Sequence, residues 1–270
     1  MPDKISRKLE KELNKFRHNH YKNADFKNWN AKTISLHRKF NNLKDKNKQN
    51  RAVLDLYLLY LQSMEVLFIN AHAASVKLNK FPSALFIASH NLRKFIENNF
   101  SKSTKFSHWF FTNYIFFIQG TDKDKKQRFQ LYTNLIKECA DDYLKNYDLL
   151  NAYKHGFRVN AKFDKTILSI VSKDGKQYKL NESDSTITYF SKEDNVVYEH
   201  SLNFKVGRVF SKTIFICTLL NNIKSTVLYS YKDKLKGKRV ARFYIDDKNR
   251  WDASFGRSHF KKPVFSLMKK

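Results

Sequence analysis

From Ile5 to about Leu144 apolar residues recur every three or four positions, and after Gly156 the spacing changes to short β-branched and aromatic runs. That change of period constrains the fold more than any other feature: helices come first, then a small sheet. Only 6 Gly and 3 Pro occur in 270 residues, too few for a dinucleotide-binding core, a phosphate-cradling loop or a turn-rich barrel. Apolar residues make up 41% of the chain, with 24 Phe, 14 Tyr and 3 Trp, which supplies one large domain, or one carrying an insert, with a core.

Over residues 3–20, Ile5, Leu9, Leu13 and Phe16 form a thin apolar stripe on a mostly solvated helix. Residues 41–50 are polar and read as a loop or an exposed helix end. From 51 to about 78 nearly every turn is apolar (Leu54, Leu58, Leu61, Phe68, Val76), which predicts a central helix covered on more than one side. Pro82 and Ser83 open the next helix, expected to bury Leu85, Ile87, Ala88, Leu92, Phe95 and Ile96. Residues 106–118 favour a helix stopped by Gly120, and a further helix runs from Thr121 to about Lys145.

Beyond Gly156, residues 158–163, 166–171, 176–180, 186–190 and 196–200 are strand-like, with Asp174-Gly175 as a hairpin signal. The fold class is therefore mainly α: a helical bundle with a small antiparallel β insert of three to five strands, at about 158–202, before a last core helix over 206–231. A basic helical segment (1–50) precedes the bundle (51–231), and a basic strand and tail (232–270) follow it.

Lys and Arg number 52 against 25 Asp and Glu, a net charge of +27. Residues 1–50 carry 14 basic and 5 acidic residues, and residues 232–270 carry 13 and 4, so the two ends hold two thirds of the excess. Such ends attract polyphosphate chains by counterion release, which favours nucleic acid as partner, RNA over DNA. A merely solubilising surface is the competing reading. Two cysteines, Cys139 and Cys217, allow neither a disulfide framework nor a cysteine zinc site, and no ligand spacing supports a metal or other cofactor. The start of the chain leads into charge, and no apolar stretch reads as a membrane span, so a cytoplasmic setting without membrane contact is expected.

One segment concentrates chemistry. Asn151-Ala152-Tyr153-Lys154-His155-Gly156-Phe157-Arg158 lies where helical spacing ends. His155 exchanges protons near neutral pH, Lys154 and Arg158 supply positive charge, Asn151 donates and accepts hydrogen bonds, and Tyr153 can stack on a base. On a helix reaching His155, Asn151 and His155 share a face at i and i+4. The same residues also suit a plain helix end, with Gly156 as terminator and Lys154 and His155 favoured by the helix dipole.

A largely helical chain with Asn-x-x-Lys-His-Gly at this point resembles the HEPN superfamily. Its pattern is an Arg, then four to six residues, then a His, often with a polar residue directly after the Arg. Asn151 and His155 match the polar residue and the His; Leu150, Leu149 and Asp148 occupy the positions where the Arg would stand. The resemblance implies a metal-independent ribonuclease or an RNA-binding relative, typically a homodimer, in antiphage or toxin-type defence with a protein partner. It gives Asn151 an orienting role and His155 a part in proton transfer, and it leaves Lys154 or Arg158 to supply the cation on the phosphate.

Other constellations rank lower. His90 and Arg93, at i and i+3, are able to face one site, and Arg93 is kept as a nucleic-acid contact with Lys238, Arg239 and Arg242 of the basic end. Phe243 and Tyr244, flanked by those cations, are candidates for base stacking, whereas Trp109, Phe110 and Phe111 read as core. Glu65 and His72 share a face of the central helix as a possible buried pair. No Gly-x-Ser-x-Gly elbow and no recognition-helix motif is present.

Overall fold

In a computed structural model the chain is described over residues 6–110, 122–154, 159–171, 177–193, 196–231 and 258–266. Eight α-helices precede or flank one sheet among these residues: α1 (Arg7–Asn23), α2 (Phe26–Asn42), α3 (Lys46–Ser75), α4 (Phe81–Ala84), α5 (Ser89–Ile96), α6 (Lys105–Phe110), α7 (Asp122–Lys154) and α8 (Val206–Tyr231). The strands are β1 (Val159–Val171), β2 (Gln177–Glu193), β3 (Val196–Phe204) and β4 (Ser258–Ser266), all antiparallel to their neighbours in the order β1-β2-β3-β4. The protein is mainly helical, with a small sheet whose first three strands lie between α7 and α8.

The polar stretch 41–50 holds the end of α2, a three-residue loop and the exposed start of α3, as expected of a loop or helix end, and Asp45 caps α3: its Oδ1 accepts from the Asn47 and Lys48 amides at 2.8 and 3.2 Å. Several expectations need correction. No single helix runs from Pro82 to Ile96. The chain leaves α4 at Leu85, and Ala88 is extended (φ −63, ψ 144) before α5 begins, so only Leu92 and Ile96 of the expected face are fully buried in α5 and Ala88 is exposed. The five strand-like runs merge into three long strands, joined by β4 from the basic end. Gly120, Phe111 and the Asp174-Gly175 turn lie outside the described residues.

Two compact units divide the chain. The described residues of the first fall within Met1–Asn30, Ser63–Lys145 and Phe215–Tyr244. Its core is aromatic: Phe68 meets Phe100 at 5.0 Å and Tyr143 at 6.0 Å, Phe81 meets Tyr21 at 6.1 Å, and Tyr132 stacks on Phe215 at 6.3 Å. Each ring buried this way contributes about 1.5–3 kcal/mol from burial alone. Lys224 donates to the carbonyls of Lys22 and Ala24, closing the C-terminal end of α1 with a cation.

The second unit's described residues fall within Ala31–Gln62, Asn146–Ile214 and Ile245–Lys270. In β2 burial alternates: Ser183, Ser185, Ile187 and Tyr189 are buried while Asp184, Thr186, Thr188 and Phe190 are half-exposed. Tyr57 packs on Phe204 at 4.6 Å, Phe40 on Phe163 at 4.8 Å, and the Phe163 amide donates to Asn50 Oδ1 at 2.7 Å. These contacts seat the sheet on helical residues of its own unit.

Helix α3 has the length and apolarity to cross a membrane (mean hydropathy 1.6 over its most apolar stretch), which the sequence reading did not credit, yet 67% of that stretch is buried. Its middle is apolar on most faces because packing covers it: Val53, Leu56, Tyr57, Tyr60, Leu61, Met64, Leu67 and Phe68 are each almost wholly buried.

Candidate functional site

In the second unit, α7 ends in the segment singled out above. The helix bends at Asn146 (φ −110, ψ 15), and the two turns that follow divide cleanly by burial. Tyr147, Leu149, Leu150 and Ala152 are buried, Asn151 is half-buried, and Asp148, Tyr153 (45% exposed) and Lys154 face solvent. Asn151, Tyr153 and Lys154 are therefore reachable. His155, Gly156 and Arg158 lie outside the described residues, as do Lys238, Arg239, Arg242, Phe243 and Tyr244.

Leu149 and Leu150 are each 0% exposed. The positions five and six before His155 are core positions, so a guanidinium there would lose its hydration without a partner. Asp148, seven before His155, is exposed and acidic. Burial, with the charge of Asp148 adding to it, pushes the Tyr189 phenol well above its ordinary range. Tyr189 stacks on His200 at 4.5 Å, and His200 shares a 2.7 Å hydrogen bond with Ser191, so this imidazole is a satisfied core group.

The first unit holds a cleft that the sequence reading only touched. Helix α5 continues into a π-turn, Glu97–Ser101, in which the Lys102 amide reaches back five residues to the Glu97 carbonyl at 2.8 Å. Leu92, Ile96 and Phe100 point into the core, where Phe100 meets Phe68, Phe95, Phe106 and Phe110. The opposite side carries His90, Arg93, Lys94, Glu97 and Ser101, and across from it α7 presents Asp141, Leu144 and Lys145. Both sets follow i, i+3, i+4 spacing, so each is one helix face.

The space between these faces is about 540 Å³ and open to solvent, with Lys102 completing its lining. Ser101 donates to Asp141 Oδ1 at 2.5 Å, tying the π-turn to α7. Lys102 pairs with Glu97 at 2.6 Å. That hydrogen bond, with the charges of Lys102 and Arg93 adding to it, holds the Glu97 carboxyl below its ordinary value. Both carboxylates of the cleft are thus engaged, while four cations (Arg93, Lys94, Lys102, Lys145) line it. No described carboxylate pairs with Lys94 or Lys145. The lining carries more cations than carboxylates; no group of His, Cys, Asp and Glu able to hold a metal occurs among the described residues.

His90 and Arg93 both line this cleft. Lys94, Ser101, Lys102, Asp141 and Lys145 went unnoticed; the spacing of 90, 93, 94 and 97 was visible, but its partner face forty residues on was not. Trp109, read as core, is 40% exposed, while Phe110 is fully buried. Glu65 and His72 do not form a pair: Tyr143 donates to Glu65 at 3.4 Å, and His72 packs edge-on against Phe95 at 4.8 Å. Cys139 and Cys217 are buried and form no disulfide. Comparison with protein-family models, with curated proteins and with solved structures gave no match for this chain.

Proposed function

We propose that the protein acts on RNA as a HEPN-like helical protein, with the last turn of α7 and His155 as its reaction centre. The observation that carries this reading is the exposure of Tyr153 and Lys154 beside a half-buried Asn151, on a helix end whose other residues are core. A net charge of +27 supplies the attraction for a polyphosphate chain. In this reading His155 takes the proton of a ribose 2′-hydroxyl as its oxygen attacks the adjacent phosphorus. The P–O5′ bond breaks, a 2′,3′-cyclic phosphate forms, and the departing 5′-oxygen takes a proton from water. Lys154 supplies charge to the phosphate, Asn151 orients the imidazole, and no metal takes part. Antiphage or toxin-type defence, as a homodimer with a protein partner, belongs to the same proposal and rests on the resemblance.

The buried Leu149 and Leu150 favour a second reading, a relative that binds RNA without cutting it, because the cation of the family pattern has no place to stand. One experiment separates the two. The protein and its His155→Ala variant are incubated with structured RNA in EDTA. Cleavage abolished in the variant supports the catalytic reading; equal cleavage by both removes His155 from the mechanism. Salt-sensitive RNA binding without cleavage leaves the binding relative, and absence of binding overturns both.

A further inference from the structure

The cleft between α5, its π-turn and α7 is not part of the proposed reaction centre, and its chemistry is different. Four cations face two carboxylates, each already hydrogen-bonded by a neighbour, which leaves an excess of two positive charges over an open space of about 540 Å³. Among the described residues, His90 is the one ring and Leu144 the one apolar side chain lining it. A site so furnished has hydrogen-bond donors for phosphate oxygens, while its two carboxylates are held by Ser101 and Lys102 and so are poorly placed to read a base edge.

We propose that this cleft docks the phosphodiester backbone of a bound nucleic acid strand, gripping it without reading its sequence. The inference rests on the RNA reading above and adds to it the place where the strand is held. Arg93 supplies a forked donor suited to a phosphate, and Lys94 and Lys145 reach from opposite walls as mobile point charges. Ser101 and Asp141 fix the spacing of the walls through their hydrogen bond. The Lys102–Glu97 pair holds the mouth of the π-turn in its observed form.

The test uses fluorescence anisotropy of labelled single strands over a range of salt, with 2′-O-methyl RNA so that no cleavage intervenes. A cleft variant, Arg93→Ala with Lys94→Ala and Lys145→Ala, is compared with a charge-matched control, Lys77→Ala with Lys80→Ala and Lys137→Ala. All six residues are exposed, so the fold is expected to survive both sets. The cleft variant is expected to lose about tenfold or more in affinity and to flatten the dependence of log affinity on log salt by about 2, with the control nearly unchanged. Asp141→Asn, which keeps an acceptor for Ser101 and removes a negative charge, is expected to bind more tightly, a gain that misfolding does not produce. Two RNAs of unrelated sequence should bind equally; a DNA strand of the same sequence shows whether the grip is shared by both backbones. Wild-type affinity and slope in the cleft variant, or an equal loss in the control, overturns the cleft and leaves the RNA reading standing. No binding by the unaltered protein overturns both.

Discussion

Burial holds two histidines, His20 and His37, below their ordinary basicity. For His20 the neighbouring Asn70 amide opposes the effect without cancelling it; His37 lies face to face on Phe210 at 4.0 Å. Each folded-state value lies under the 6.5 of the unfolded chain, so below that pH the unfolded state binds more protons. The stability tied to neutral imidazoles is therefore whole above 6.5 and is lost as pH falls beneath it. Urea midpoints are expected to drop between about pH 7.5 and about pH 5.5, still above the range where carboxylates titrate. His37→Phe, which keeps the stack on Phe210, should shrink that drop; a midpoint that is flat or rising over the same interval contradicts the assignment. Neither histidine was picked out from the sequence, because desolvation is set by neighbours that are remote along the chain. Asn151, Tyr153 and Lys154 were legible, since an apolar Leu149-Leu150 pair beside polar residues reveals which side of a helix is wet.

Elements depend on single residues at their ends. Asp184 in β2 accepts a hydrogen bond from the Val206 amide at 2.9 Å, so a strand residue closes the first turn of α8. Asp184→Ala is expected to cost about 1 kcal/mol, within a range of roughly 0.5–2, and Asp184→Asn, which keeps an acceptor, distinctly less. Chemical denaturation of the two variants measures this, and equal losses would remove the cap from the account. Helix α8 itself was legible to both ends, because its apolar period runs unbroken and strand residues precede it. The long strands were not. Asp164 and Lys165 in β1 and Asn181 to Asp184 in β2 look like turns in the sequence, whereas the ladder carries the chain through them, with register shifts at Phe163/Thr166 and Leu168/Ser169. Strand β4 hid for a related reason: Lys261, Lys262 and Pro263 suit a strand at the edge of a sheet, where a missing donor and surplus charge are tolerated, and the same residues suit a tail. The break between α4 and α5 contains no Gly, and apolar spacing alone does not reveal it.

Charge acts on the molecule as a whole, and it acts twice. A net +27 on 270 residues sets like charges against one another in the folded state, and it draws in polyanions. The total was plain in the sequence; the place where cations converge was not, because Ser101 and Asp141, which join the two walls of the cleft, are separated by forty residues. The two effects respond to salt in opposite directions. Screening shortens the reach of repulsion from about 30 Å at 0.01 M salt to about 8 Å at 0.15 M, so the thermal midpoint of the protein alone is expected to rise over that interval. RNA binds the folded state and stabilises it by mass action, yet salt weakens that binding steeply. With RNA present the midpoint should therefore start high at low salt and fall toward the rising curve of the free protein as salt is added. Scanning calorimetry with and without RNA follows both curves. Parallel curves would mean that the excess charge repels itself without recruiting a polyanion; convergence with rising salt would tie the same lysines and arginines to the cost of folding and to the capture of RNA.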